Sequence, residues 1–163
     1  MVKTLLVYYS LYGSTKKVAE EMARIGGWDV GVITDASPRK GIWGYSRSAL
    51  ETAFNSAPAI DYVGNDPGAY DTVVLGSPVW VGRPASPMRS FANQYNNKLK
   101  NLACFCTMGG TDSKKWEASL YSLYGQSPQK IIAVQEKEIA STATSEKIIS
   151  FVNSINSRLR MAA

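Results

Sequence analysis

Apolar, β-branched runs recur along the chain at residues 4–9, 28–33, 72–76, 102–107 and 130–134. Several are continuously apolar rather than alternating, the pattern of strands covered on both faces. Between them the apolar spacing changes to that of helices. Residues 15–25 set Val18, Met22 and Ile25 on one face. Ser86 and Pro87 read as an N-cap and a first-turn proline ahead of Met88, Phe91 and Tyr95. Asp112 or Ser113 is a candidate cap for a helix carrying Trp116, Leu120 and Leu123. Residues 144–159 place Ile148, Val152, Ile155 and Leu159 at helical spacing, and a further helix is expected over 45–54.

Repeated β-α alternation predicts an α/β fold, a parallel sheet with right-handed crossovers and helices on both faces. Ligands bind such sheets at the carboxyl ends of the strands, where the strand order reverses. Residues 35–44 and 57–70 are rich in Gly, Pro, Asp and Asn, and read as loops flanking the second helix. The 163 residues suit one domain, 1–163, with a sizeable core.

Composition changes this picture mainly by exclusion. At 45% hydrophobic and 19% charged residues the chain reads as globular. No apolar run approaches the ~20 residues of a membrane span, and no signal peptide is evident, so a cytoplasmic location is expected. Cys104 and Cys106, at i, i+2 spacing in an apolar strand, point to one face and read as small core residues. The chain has no histidine. That removes Ser-His and Cys-His nucleophile pairs, histidine metal ligands and the usual acid–base group near neutral pH. Any chemistry is therefore expected to reside in a bound cofactor, with no metal site and no catalytic side chain assigned. A net charge of +5 raises nucleic-acid binding, but the basic residues are scattered, and none is expected.

The segment "LVYYSLYGSTKKVAEEMA" joins the first strand to the first helix. Ser10, Ser14 and Thr15 offer hydroxyls, and Gly13 permits close backbone approach or positive φ. With the N–H groups and positive dipole end of the helix, the turn forms a cradle for an anion, most naturally phosphate. Lys16 and Lys17 oppose the macrodipole of an empty helix; they either greet a bound dianion or pair with Glu20 and Glu21. The turn is neither a Walker loop nor a three-glycine dinucleotide fingerprint.

This turn resembles the FMN-phosphate loop of the flavodoxin family, through Ser10, Gly13, Thr15 and Ala19. "YDTVVLGSPVWVGRPASPMRSF" resembles that family's third strand and first flavin loop, and "LACFCTMGG" its fourth strand and second flavin loop. The "SLYG" and "GSPVW" variants also resemble flavodoxin-fold NAD(P)H:quinone oxidoreductases. The resemblance implies a flavodoxin-like three-layer sandwich with a five-stranded parallel sheet in the order 2-1-3-4-5. By it, Ser10, Tyr12, Gly13, Ser14 and Thr15 hold the FMN phosphate. Tyr12 stands where true flavodoxins commonly carry threonine. Pro78, Val79, Trp80, Val81 and Gly82 flank the isoalloxazine, with Trp80 as ring platform or, alternatively, a half-buried core residue. Thr107, Met108, Gly109, Gly110 and Thr111 line the pyrimidine side, where an aromatic is often found in the family and Met108 stands here.

The resemblance implies an FMN-binding redox protein. It acts either as an electron carrier with a redox partner protein or as a reductase passing electrons from NAD(P)H to quinone-type small molecules. The alternative is a flavodoxin-fold binding or regulatory module without flavin. Electron-carrier flavodoxins are usually acidic, whereas this chain is basic. Arg39, Lys40, Arg47 and Arg83 are expected in or near loops that border the flavin, and a positive rim suits a reductase better. Trp43 and Tyr45 read as a hydrophobic cluster at the start of the second helix or as a lid over the ring.

Overall fold

The computed structural model of the chain describes residues 3–37 and 56–161, with side chains through Ser157. The helix expected over 45–54 and the candidate residues Arg39, Lys40, Trp43, Tyr45 and Arg47 lie outside the described residues. The described elements run β1 (Thr4–Tyr9), α1 (Ser14–Gly26), β2 (Asp29–Asp35), β3 (Ile60–Val63), β4 (Thr72–Trp80), β5 (Arg83–Pro84), α2 (Ser86–Tyr95), β6 (Leu102–Met108), α3 (Lys114–Tyr124), β7 (Lys130–Gln135) and α4 (Thr142–Met161).

Strands β2-β1-β4-β6-β7 are parallel neighbours in that order, which is the expected 2-1-3-4-5 arrangement. Two strands are added to it. β3 pairs antiparallel with β2 on the outer edge, and β5 folds back on the end of β4. The reading of residues 57–70 as loop is thus corrected. β3 has only four residues, alternates between half-buried and exposed, and sits among turn formers, so it offers too short a pattern to read. The strand expected over 72–76 also extends, pairing with β6 as far as Pro78 opposite Thr107.

Helix ends follow local chemistry. Gly27, at φ 65°, closes α1 through its N–H to the Ala23 carbonyl. Helix α2 begins at Ser86 rather than after it: Ala85 is the capping position, while Pro87 lies in the first turn as expected. The Asp112 carboxylate accepts from the Lys114 N–H at 3.0 Å ahead of α3.

Alternating strand residues feed two cores. On one face Leu5, Val7, Val73, Leu75 and Cys104 meet Met88 and Phe91 of α2 and Trp116 and Leu120 of α3. On the other, Leu6, Tyr8, Val74 and Phe105 meet Val18 and Met22 of α1 and Phe151 and Val152 of α4. Trp28 ties α1 to α4 by donating from Nε1 to Asn156 Oδ1 at 2.9 Å. Gly76 lies in register with Phe105, whose ring fills the space a Cβ would need: the contact to Cζ would be 2.1 Å. Cys104 and Cys106 are free, buried thiols in one core, as expected; burial pushes both pKa values up, that of Cys106 to about 12. No helix among the described residues is long and apolar enough to cross a membrane, and no metal-ligand cluster is found among them.

Candidate functional site

From β1 the chain crosses to α1 on one face, and from β4 to α2 on the other, so the strand order reverses between β1 and β4. At their carboxyl ends a cleft of about 180 Å³ opens. Its walls are Ser10, Leu11, Tyr12, Ser14 and Thr15 from the first turn, Pro78, Val79 and Trp80 from the end of β4, and Thr107, Met108 and Gly109 from the end of β6, with Glu136 after β7. Three sequence segments up to 92 residues apart, each singled out from sequence, meet here.

In the first turn Gly13 is at φ 97°, a left-handed conformation that favours glycine. A Cβ there would meet nothing within 4 Å, so conformation rather than space calls for glycine, and the side facing its α-carbon is open. The Ser10 hydroxyl accepts from the N–H of Gly13 at 3.1 Å and of Lys16 at 3.2 Å, holding the turn against the helix start. The other N–H groups of the first helical turn have no acceptor within the helix. Thr15 and Thr107, both buried, share a hydrogen bond between hydroxyls at 2.7 Å. Tyr12 is 75% exposed, at the cleft mouth. Lys16 pairs with Glu20 across 3.7 Å on the exposed helix face, whereas Glu21 takes Arg24, at 2.7 Å. That hydrogen bond lowers the Glu21 carboxyl below its ordinary range.

The second wall is fixed from beneath. Tyr9 donates its hydroxyl to Asp35 Oδ2 at 2.6 Å, and the half-buried Trp80 meets the Tyr9 ring edge-on, centroids 5.6 Å apart. Trp80 pairs with Arg83 across a two-residue turn, with Val81 at φ 50° and Gly82 at φ 73°. Positive φ at both positions matches the twist of a tight hairpin, but it strains a β-branched residue such as Val81.

Not every expected residue lines the cleft. Gly13 shapes the turn without being part of the wall, and Gly110 and Thr111 fall beyond it. Val81, Gly82 and Arg83 face a second, larger groove of about 660 Å³ on the other side of the hairpin, with Arg89 of α2 and Lys115 of α3. Arg83, paired opposite Trp80 across the turn, lines this neighbouring groove. Sequence reasoning missed Leu11 and Glu136. The latter follows the last parallel strand, and the carboxyl-end rule for such sheets was the available signal.

A doubly wound α/β domain with its cleft at the switch point, floored by a glycine turn and a helix N-terminus, defines a protein class built to hold a phosphorylated ligand. The flavodoxin family profile matches residues 3–155, and the chain belongs to that family. The sequence matches no curated protein. Among solved structures, it resembles a flavoprotein in complex with FMN from Lactobacillus acidophilus, with 28% identity, 88% of this chain and 99% of the other covered, and a TM-score of 0.72. The apo form of the flavoprotein from the same organism matches at 28% identity over 86% of this chain and 97% of the other, TM-score 0.65. A flavodoxin, WrbA-like protein from Agrobacterium tumefaciens shares the fold at 17% identity, covering 99% of both chains, TM-score 0.61.

Proposed function

We propose that this protein binds FMN and acts in electron transfer. The observation that carries the reading is the convergence of the Ser10–Thr15 turn, the end of β4 and the end of β6 on one cleft at the switch point. Ser10, Gly13, Ser14 and Thr15, with the start of α1, hold the phosphate. A cleft of about 180 Å³ is below the ~300 Å³ of sites that engulf a whole small molecule. It suits the narrow phosphate and ribityl end, leaving the flat ring at the surface against Pro78, Val79, Trp80, Met108 and Gly109. Val81, Gly82, Gly110 and Thr111 flank that surface outside the cleft. FMN supplies one- and two-electron redox chemistry when bound; the chain's residues position it and shield one side from water. The matched flavoprotein with bound FMN supports the same reading.

Two finer roles follow: a carrier serving a redox partner protein, or a reductase moving electrons from NAD(P)H to quinone-type acceptors. A binding or regulatory module without flavin is the alternative. Flavin absorbance of the purified protein separates the last from the first two. Titration of flavin-free protein with FMN and riboflavin tests the phosphate loop: FMN should bind far more tightly, and equal affinities would refute the assignment of Ser10–Thr15. Steady oxidation of NAD(P)H with a quinone, without any second protein, would establish the reductase.

A further inference from the structure

The sheet ends in β7, which pairs with β6 on one side and with no strand on the other among the described residues. An edge strand presents a row of open backbone N–H and C=O groups, and chains blunt it with proline, a bulge or charges along its length. Here the middle of the strand, Ile131 to Val134, carries neither proline nor charge, and its register with β6 runs without a bulge. Ile131 is exposed. Both flanking helices leave their β7 side open. On the α4 face a groove of about 500 Å³ runs between strand and helix, with Ile131, Ile132, Ala143 and Phe151 in its walls. On the other face Tyr121 of α3 is 64% exposed. By helical spacing it lies away from Lys115, Ala118 and Ser122, which turn toward α2 and the hairpin, and so stands on the β7 side of its helix. The charged residues that line the groove or close the ends of the strand are Lys130, Glu146, Lys147 and Glu136, all exposed. None of these side chains forms an ion pair among the described residues.

We propose that the β7 edge is the contact between two copies of this chain, their strands paired antiparallel across a twofold axis. A twofold contact sets one patch against itself, so the patch must be self-complementary. Acids and bases cancel along this edge, although the chain as a whole carries a net charge of +5. A nucleic acid or an acidic surface would instead call for a patch of one sign. The order of charges along the strand supplies the register. An antiparallel pair centred on Ala133 puts Lys130 of one copy opposite Glu136 of the other, and the symmetry makes that pair twice. Main-chain hydrogen bonds of the added strand supply affinity, and the exposed Ile131 and Tyr121 supply apolar contact beside them. Pairing uses up the β7 edge of both copies, so association through it stops at two. This contact needs no flavin and does not rest on the redox reading above.

The test is sedimentation equilibrium of the protein as purified, over a series of concentrations at low ionic strength. A monomer–dimer equilibrium is expected. Lys130→Glu and Glu136→Lys should each raise its dissociation constant about tenfold, because each turns two attractive pairs into like-charge contacts. The double variant, Lys130→Glu with Glu136→Lys, restores both pairs with their signs exchanged. Its dissociation constant should return to within about threefold of the original, the non-additivity of residues in contact. Tyr121→Ser should also weaken the dimer. All three side chains are exposed, so the variants read the contact rather than the fold. A protein that is monomeric at every concentration, or a dimer indifferent to Lys130→Glu, would overturn the proposal. So would single effects that simply add in the double variant, or association that runs on beyond two copies.

Discussion

The hydroxyl pair that joins Thr15 of α1 to Thr107 of β6 makes a sharp test of the site. The two oxygens are 2.7 Å apart, 1% and 0% exposed, and drawn from positions 92 residues apart. Thr15→Val keeps the side-chain shape but leaves the Thr107 hydroxyl buried beside a methyl group. An unsatisfied buried hydroxyl costs about 1–3 kcal/mol, whereas replacing both partners by apolar groups of the same shape is nearly neutral. Thr15→Val and Thr107→Val should each therefore lose about 1–2 kcal/mol. The double variant should lose no more than either single one, giving a coupling energy of about 1 kcal/mol or above. At this chain length each kcal/mol moves Tm by roughly 2–4 °C. Urea unfolding of the four flavin-free proteins measures the cycle. Single effects that simply add would refute the pair. The same proteins separate structure from binding. A hydrogen bond to a charged group contributes about 1.5–3 kcal/mol, so FMN affinity should fall about ten- to a hundredfold in Thr15→Val and persist at that level in the double variant. Affinity restored in the double variant would show that Thr15 acts only through Thr107 and not on the phosphate.

Four further outcomes are expected. Val81→Gly should stabilise the flavin-free protein by up to about 1 kcal/mol in urea, since an L-residue at positive φ costs ~1–2 kcal/mol and glycine returns ~0.5–1 through chain entropy; a loss of stability would show no strain at Val81. Gly76→Ala should cost at least about 2 kcal/mol because its Cβ would lie 2.1 Å from Phe105 Cζ, and Phe105→Leu should recover part of the loss. Cys104 and Cys106 should resist a thiol reagent at pH 8 in the folded protein. Because their folded pKa values are raised, that of Cys106 to about 12, their contribution to stability is complete below the unfolded thiol value near ~8.5 and is lost as pH rises beyond it, which alkaline unfolding curves would show. Trp80→Ala should weaken FMN by about 1–3 kcal/mol; a large loss of flavin-free stability with normal flavin affinity would make Trp80 a core residue rather than a ring platform.

The parallel strands were legible because each is a run of apolar residues long enough to be buried on both faces: β1 and β6 are buried throughout. The first cleft segment was legible from its own turn chemistry at a helix start, whereas the ends of β4 and β6 were picked out by their resemblance to the flavin loops of the flavodoxin family. β3 was not, because four residues on a sheet edge need no apolar run. The sense of side chains around the hairpin was not legible either. "VWVGRP" reads as one loop in sequence, yet Trp80 and Arg83 pair across the tight turn and line different cavities. Glu136 stayed hidden because nothing in "VQEKE" distinguishes one exposed acid from the next; only the end of β7 brings it to the cleft.

That last point bears on the choice between carrier and reductase. The case for a reductase drew on a positive rim around the flavin, formed by Arg39, Lys40, Arg47 and Arg83. Arg83 pairs across the hairpin with Trp80, Arg39, Lys40 and Arg47 lie outside the described residues, and among the described residues the ionisable groups on the cleft wall are Tyr12 and Glu136. A carboxylate near a flavin disfavours its reduced anion, whereas a cation favours it, so the acid at the cleft argues for a lower potential than the net charge of +5 suggests. Glu136→Gln should then raise the flavin potential, while Lys115→Gln, outside the cleft wall, should leave it unchanged. Redox titration of the same two variants decides it, and a potential that moves with Lys115 but not with Glu136 would restore the positive rim.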